Sequence, residues 1–156
     1  MKVLDWITQH PRLPATVPPE SPLEAIVDRI LAEPGLRDIF VVSSEGVLIG
    51  HIGHRRLTHL LLAEHRPEHT QRQIMERVVS GTAMEIMEPH FTAAKPDEDL
   101  DDVLHRQLDS DLEDMQVIDA SGMPLGVINL TQILEVIRGN SVHNFKANHT
   151  SKKIKN

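Results

Sequence analysis

The stretch that decides the fold is Val41–Gly50, which reads VVSSEGVLIG: an apolar run, a polar turn, and a second apolar run that ends in glycine. It returns 76 residues later as Val117–Gly126, which reads VIDASGMPLG. Two short apolar segments around a turn that contains glycine predict a β-hairpin. A hairpin that recurs at a fixed offset predicts two copies of one structural unit.

Helical patterns flank each hairpin. Apolar residues with the spacing of an amphipathic helix precede the hairpins at Leu23–Leu31 and, in the second half, at Leu100–Leu108. Ser21, followed by Pro22 and then Glu24, predicts the N-cap of the first of these helices. A closing helix is predicted after each hairpin from two further apolar stripes, which are Leu57, Leu60 and Leu61 in the first half and Leu130, Ile133, Leu134 and Ile137 in the second.

The pattern divides the chain into four parts. We predict a first repeat at residues 1–66, a connecting helical linker at 67–82, a second repeat at 83–138 and a basic tail at 139–156. The linker prediction rests on a polar segment from 64 to 81 that carries a few apolar residues at helical spacing. Because a unit of about 55 residues buries little surface by itself, the two repeats should pack together.

Composition excludes several classes of function. The chain has 16 Lys and Arg against 23 Asp and Glu, with three Phe, one Trp and no Tyr, so it lacks both the basic face and the stacking rings that nucleic acid requires. The five basic residues from Arg138 onward are the exception to this acidic balance. The absence of cysteine agrees with a reducing compartment, and the lack of a run of about 18 apolar residues argues against membrane insertion. We therefore expect a cytoplasmic protein.

Three features occur in the same order in both halves and cover roughly residues 3–138. Each half has a short opening helix pattern, an extended stretch, and a closing signature that begins with glycine. They are VLDWI at 3–7, ATVPP at 15–19 and GHIGHRR at 50–56, then AMEIM at 83–87, FTAAKP at 91–96 and GVINLTQ at 126–132. This ordered set resembles a tandem pair of cystathionine β-synthase-type (CBS) domains, the regulatory unit called a Bateman module. The resemblance implies an α/β fold of two β-α-β-β-α repeats in a pseudo-twofold pair, clefts between the repeats, and a homodimer.

The resemblance also implies where a ligand would bind. In family members that bind adenine nucleotides, a Thr or Ser of the closing signature approaches the phosphate, and an Asp three residues later accepts bonds from the ribose. This sequence departs from that pattern, with Gly53 and Arg56 in the first repeat and Asn129 and Gln132 in the second. Arginine has only donors, whereas the two amide side chains can accept and donate.

These departures favour the second repeat as the adenosine site. We expect AMP or another adenosine-containing ligand against Asn129 and Gln132, because the acidic run at 97–102 would repel a triphosphate. A phosphate should be drawn to Arg55, Arg56 or Arg106. The alternative is that the four signature positions only cap the final helix of each repeat.

Other motifs carry little chemistry. His51–His54 spells HIGH, a signature of class I aminoacyl-tRNA synthetases, but those enzymes need a far longer catalytic domain. His65 and His69 have a metal-ligand spacing that Pro67 disrupts, so we expect exposed histidines in a linker rather than a metal site. The absence of a Gly-rich phosphate loop and of a nucleophile motif predicts a protein that is not an enzyme.

The sequence leaves two functions open. The first is a non-catalytic, ligand-sensing regulatory module that acts on a partner protein of unknown identity. The second is a structural dimerisation adaptor whose nucleotide clefts are vestigial. We expect a homodimer in either case, because the apolar stripes of the closing helices need cover.

Overall fold

The structure is a computed structural model that describes residues 1–63 and 81–139. The first repeat contains α1 (Val3–Gln9), β1 (Thr16–Val17), α2 (Leu23–Ala32), β2 (Asp38–Val42), β3 (Leu48–Gly53) and α3 (His54–Ala63). The second contains α4 (Ala83–Ile86), α5 (Leu100–Asp109), β4 (Asp114–Ile118), β5 (Pro124–Asn129) and a helix, α6, over residues 130–139. The predicted α/β fold class is therefore confirmed. Nearly all of the predicted linker helix and the tail from residue 140 lie outside the described residues.

The two hairpins have the same strand register. Asp38 pairs with Gly53 in the first hairpin, and Asp114 pairs with Asn129 in the second. In each, the register shifts near the end of the first strand, which shows that the offset of 76 holds residue by residue. The leading strands differ: β1 runs parallel to β2 over two residues, whereas the second repeat keeps only a parallel bridge between Ala94 and Val117.

Each repeat receives its short opening helix from the other. The α1 residues Val3, Trp6 and Ile7 belong to the hydrophobic core built by α5, β4 and β5. In turn, Ala83 of α4 belongs to the core built by α2, β2 and β3. Backbone hydrogen bonds fix both exchanges, from Val3 N to Glu98 O at 3.1 Å and from Ala83 N to Ser21 O at 2.8 Å. The boundaries predicted along the chain stay predictions, but neither core is built from one of the predicted repeats alone.

The predicted N-cap, Ser21, is wrong. The N-cap of α2 is Pro22, and no side chain caps the helix. The N–H of Leu23, the first residue of α2, donates instead to Gly81 O, just before α4, at 3.0 Å. A conventional cap does occur at α5, where the Asp99 carboxylate accepts the Asp101 N–H at 3.0 Å.

No helix within residues 1–63 and 81–139 is long and apolar enough to cross a membrane.

Candidate functional site

The two hairpins meet at both of their ends. At the tips, Leu48 N donates to Gly122 O at 2.9 Å. At the bases, the Asp38 carboxylate reaches the start of β4, where its Oδ2 accepts the N–H groups of Glu113 at 3.1 Å and Asp114 at 3.0 Å. Asp38 is thus a direct hydrogen-bonded link between the repeats.

A buried histidine completes the link on the side of the first repeat. His51 Nε2 lies 2.7 Å from Asp38 Oδ1, and both side chains are nearly covered. The imidazole also contacts the Phe40 ring, with centroids 5.1 Å apart. The three side chains point to one side of the hairpin, because residues directly opposite each other on antiparallel strands share a face.

His51, the first residue of the HIGH motif, is 8% exposed. His65 and His69 lie outside the described residues. Among the residues the structure does describe, no group of three His, Asp or Glu side chains could hold a metal ion.

Asp114 occupies the position in the second repeat that Asp38 occupies in the first, but it bonds within its own hairpin. Its Oδ1 accepts from Asn129 Nδ2 at 2.6 Å. Burial raises the pKa of the Asp114 carboxyl above its ordinary value of 3.8, opposed by the Asn129 hydrogen bond. The nearby charge of Asp38 adds to the rise. Two carboxylates thus share the buried base of the paired hairpins.

A cavity of about 280 Å³, here called the Gly53 cleft, opens between the repeats beside this base. The first repeat lines it with the start of β2, the end of β3 and the first turn of α3, and the second repeat with the end of α5 and the loop into β4. The lining residues are Arg37, Asp38, His51, Gly53, His54, Arg55 and Arg56, then Gln107, Leu108, Ser110, Asp111, Leu112, Glu113 and Leu130. Both repeats must be in place for this cleft to exist.

All the arginines of the Gly53 cleft come from the first repeat, as Arg37, Arg55 and Arg56, together with the buried carboxylate of Asp38. The second repeat contributes the carboxylates of Asp111 and Glu113. A ligand with an anionic group would therefore meet its cationic partners on one wall.

A smaller pocket of about 130 Å³, here called the His90 pocket, adjoins the Gly53 cleft. It contains His90, Phe91 and Thr92, and it shares three wall residues with the cleft, which are His51, Ser110 and Leu112. The backbone groups of His51 and Glu88 pair reciprocally beside it, at 3.0 and 2.8 Å. The two spaces together offer a larger chamber with charged side chains in its lining next to a smaller one that has an aromatic wall.

The signature positions of the first repeat both line the Gly53 cleft. A Cβ on Gly53 would lie 3.3 Å from His51 Cε1, so glycine leaves room for the buried imidazole. Arg56 donates from Nη1 to Glu88 Oε1 at 2.9 Å and from Nε to Ile86 O at 3.3 Å. Its guanidinium is still about two-fifths exposed.

The signature positions of the second repeat line neither the Gly53 cleft nor the His90 pocket. The Asn129 amide is used twice, since it donates to Asp114 and its Oδ1 accepts the Gln132 N–H at 2.9 Å, which caps α6. Gln132 Oε1 is buried, and within the described residues no donor reaches it. The ligand predicted at Asn129 and Gln132 stays a prediction.

Of the three arginines predicted to attract phosphate, Arg106 lies elsewhere. Its two terminal nitrogens each donate to one oxygen of Glu98 at 2.9 Å, and it also bonds Ala93 O at 3.2 Å. The Arg106 hydrogen bond lowers the pKa of Glu98, outweighing its partial burial. Arg106 therefore ties α5 to the segment before it and is no part of the Gly53 cleft.

Sequence reasoning missed the pairing of Asp38 with His51, a buried polar pair of the site. The available signal was that both halves begin a buried strand with aspartate, at aligned positions 38 and 114. An acid at the start of a buried strand needs a partner, because a buried charge without one is costly.

The sequence profile of the CBS domain matches residues 11–63 and 83–139, which is most of the chain and coincides with the two structural repeats. The chain belongs to the CBS domain family. The predicted tandem CBS pair is thereby confirmed.

Solved CBS structures share this fold. A CBS domain-containing protein from Thermotoga maritima is 30% identical, with a TM-score of 0.68 over 86% of this chain and 92% of that one. The CBS domain pair of protein MJ0100, in complex with 5′-methylthioadenosine and S-adenosyl-L-methionine, is 19% identical, with a TM-score of 0.65 over 90% of this chain and 98% of that one. The cytosolic domain of the Mg²⁺ channel MgtE, in complex with ATP, is 20% identical, with a TM-score of 0.57 over 79% of this chain and 44% of that one. No curated protein matches the chain in sequence.

Proposed function

We propose that this tandem CBS pair is a non-catalytic regulatory module that senses an adenosine-containing ligand between its repeats, in the cytoplasm. The observation that carries the proposal is the Gly53 cleft, because a cavity walled by both repeats lets a ligand change how they sit against each other. The adenosine ligands of the MJ0100 and MgtE structures support the same class of ligand.

The geometry favours a nucleoside monophosphate in the Gly53 cleft. The phosphate would meet Arg55 and Arg56, and the base would enter the His90 pocket against Phe91. A monophosphate suits the cleft better than a triphosphate, because Asp111 and Glu113 stand on the opposite wall. A ligand that contacts His51 would also affect β4. The partner of His51 is Asp38, and the Asp38 carboxylate accepts the backbone N–H at the start of that strand.

Isothermal titration calorimetry with AMP, adenosine, ATP and S-adenosylmethionine tests this proposal. Arg56→Ala should weaken AMP about tenfold, the scale of one charge-assisted hydrogen bond, and leave adenosine unchanged. Arg138→Ala, which removes an exposed arginine from α6, is the matched control. If none of the four compounds binds the parent protein, the sensing function is rejected.

The same titrations decide between the two repeats. Gln132→Ala should cost about 1 kcal/mol of AMP binding if the nucleoside lies against Asn129 and Gln132, as the sequence predicts. It should cost nothing if AMP occupies the Gly53 cleft, where Arg56→Ala has the effect instead.

The second candidate function, a dimerisation adaptor, is favoured by the exposed apolar residues of α6. Leu134 is 66% exposed and Ile137 is 56% exposed. Fewer residues of the two predicted apolar stripes need cover than expected. Leu57 of α3 is buried within the first core, and Ile133 of α6 packs against the second. A homodimer through α6 would cover the remaining two side chains.

Analytical ultracentrifugation at tens of micromolar tests the dimer. The parent should sediment as a dimer, and Leu134→Gln should shift it towards monomer. Leu31→Gln, at an equally exposed leucine of α2, should leave the dimer intact. A parent protein that stays monomeric removes the adaptor function.

A further inference from the structure

Asp111 has a backbone conformation that is unusual for its residue type. Its φ is 56°, the only positive φ of a non-glycine residue within residues 1–63 and 81–139. It follows α5, where the N–H groups of Asp111 and Leu112 return to Leu108 O at 3.3 Å and Gln107 O at 3.4 Å. This is the hydrogen-bond pattern of a helix C-terminus that normally ends in glycine.

The first repeat has the expected glycine at the aligned position. Gly35 lies 76 residues before Asp111 and also has a positive φ, of 86°. An L-residue in this region costs about 1 kcal/mol relative to glycine, somewhat less for aspartate. The second repeat therefore carries a side chain at a position where the backbone conformation favours glycine.

The Asp111 carboxylate reaches across the Gly53 cleft to the other repeat. Its Oδ2 lies 3.3 Å from Arg55 Nη1, and the two side chains are 83% and 79% exposed. An ion pair so exposed contributes little stability and is readily exchanged for another partner. The other acid on this wall is already occupied, because Glu113 Oε1 accepts from both the N–H and the hydroxyl of Thr131.

We infer that Asp111 sets the charge selectivity of the Gly53 cleft: its carboxylate competes with the anionic group of a bound ligand for Arg55. The inference rests on the function proposed above and adds to it a residue that discriminates between ligands of different charge. A phosphorylated ligand must break the ion pair between Asp111 and Arg55, and its phosphate is then repelled by the Asp111 carboxylate. A neutral nucleoside has no anionic group, so it neither competes for Arg55 nor is repelled. Asp111 thus lowers the preference of the cleft for phosphate.

The test is Asp111→Asn, since asparagine tolerates the left-handed backbone and removes only the charge. At low ionic strength, AMP should bind this variant about three- to tenfold more tightly than the parent, the scale of one like charge removed at roughly 6 Å in a solvated cleft. Adenosine should change by less than about twofold, because it carries no charge for Asp111 to repel. Asp111→Gly should behave in the same way and excludes an effect peculiar to asparagine.

Two controls isolate the pair. Asp109→Asn removes an exposed carboxylate of α5 that does not line the cleft, and AMP affinity should stay at the parent value. In an Arg55→Gln background, Asp111→Asn should have a smaller effect on AMP, because the competition for Arg55 is gone and only the direct repulsion of the phosphate is left to remove.

The outcomes separate this inference from the proposed function. If AMP binds the parent and Asp111→Asn equally, or if Asp109→Asn produces the same gain, the selectivity role is wrong while the sensing function stands. Equal gains for AMP and adenosine also overturn the role, because they show an effect that is independent of ligand charge. If neither AMP nor adenosine binds any variant, the selectivity role fails, and the sensing function fails with it only when ATP and S-adenosylmethionine also do not bind the parent.

Discussion

Asp38 accepts the backbone N–H of Asp114, the residue that occupies its own position in the other repeat, with 3.0 Å between Oδ2 and N. The relationship is not reciprocal, because the Asp114 carboxylate bonds Asn129 in its own hairpin. A pseudo-twofold pair is thus joined at its base by one carboxylate from one side. That carboxylate also holds His51 at the wall of the Gly53 cleft.

Asp38→Asn should destabilise the protein by about 1–3 kcal/mol, because the amide replaces a carboxylate that makes charge-assisted hydrogen bonds through both oxygens with one neutral acceptor and one donor. Urea unfolding measures the change in the free energy of unfolding. Asp28→Asn, at an exposed position of α2, should change it by less than about 0.5 kcal/mol. An Asp38→Asn protein as stable as the parent would show that the link between the repeats carries no energy.

Asp114 should give stability a specific pH dependence. Burial raises the pKa of Asp114 in the folded protein above the ordinary 3.8. The contribution of Asp114 to the free energy of unfolding is therefore fully present below pH 3.8 and is lost as the pH rises through the raised pKa. Asp114→Asn carries no titrating group and can still accept the Asn129 hydrogen bond. Its free energy of unfolding should therefore improve relative to the parent between about pH 3 and pH 7.

Urea titrations of both proteins at a series of pH values check the direction of this change. Asp109→Asn serves as the control for loss of an exposed carboxylate. A difference between Asp114→Asn and the parent that stays constant with pH would contradict the raised pKa.

The sequence was sufficient to predict the repeats, both hairpins and their flanking helices. Alternation and helical spacing report which face of an element is apolar, and the offset of 76 transfers each assignment from one half to the other. They do not report which partner covers that face. This is why the exchange of α1 and α4 could not be foreseen.

The candidate site was only partly predictable for a similar reason. Gly53 and Arg56 were singled out by position in the signature and do line a cleft. The burial of His51 depends on Asp38 and Phe40 across the hairpin, which the residues next to His51 in sequence do not indicate. The composition of a short segment does not indicate a contact that forms between two strands and also involves the other repeat.

Glu98 should give the opposite pH dependence. The hydrogen bonds from Arg106 lower its pKa below the ordinary 4.5, so its contribution is present above that value and is lost as the pH falls through the lowered folded pKa. Because both side chains are about a third exposed, Glu98→Gln should cost no more than about 1 kcal/mol at pH 7. The cost, measured as the difference in the free energy of unfolding in paired urea titrations, should shrink towards zero as the pH falls towards about 2. Glu135→Gln, on the exposed side of α6, should show no such trend.

Gly50 and Gly126 let the exchanged opening helices approach the hairpins. A Cβ on Gly50 would lie 2.9 Å from the Met87 Cβ, next to the end of α4, and a Cβ on Gly126 would lie 3.3 Å from the Ile7 Cβ in α1. Real Cβ atoms do not come as close as the first distance, whereas the second needs only a small adjustment of its neighbour. The two aligned glycines should therefore differ in their tolerance of alanine.

Gly50→Ala should destabilise the protein by about 1–3 kcal/mol, since α4 must move away from β3, and Gly126→Ala should cost less. Gly139→Ala is the matched control, because a Cβ there meets nothing within 4 Å and alanine favours the helix by up to about 1 kcal/mol. Thermal and urea unfolding of the three variants give the order. If Gly50→Ala were as stable as Gly139→Ala, α4 would not pack against β3 as closely as the structure has it, and the exchange of opening helices would lose its support in the first repeat.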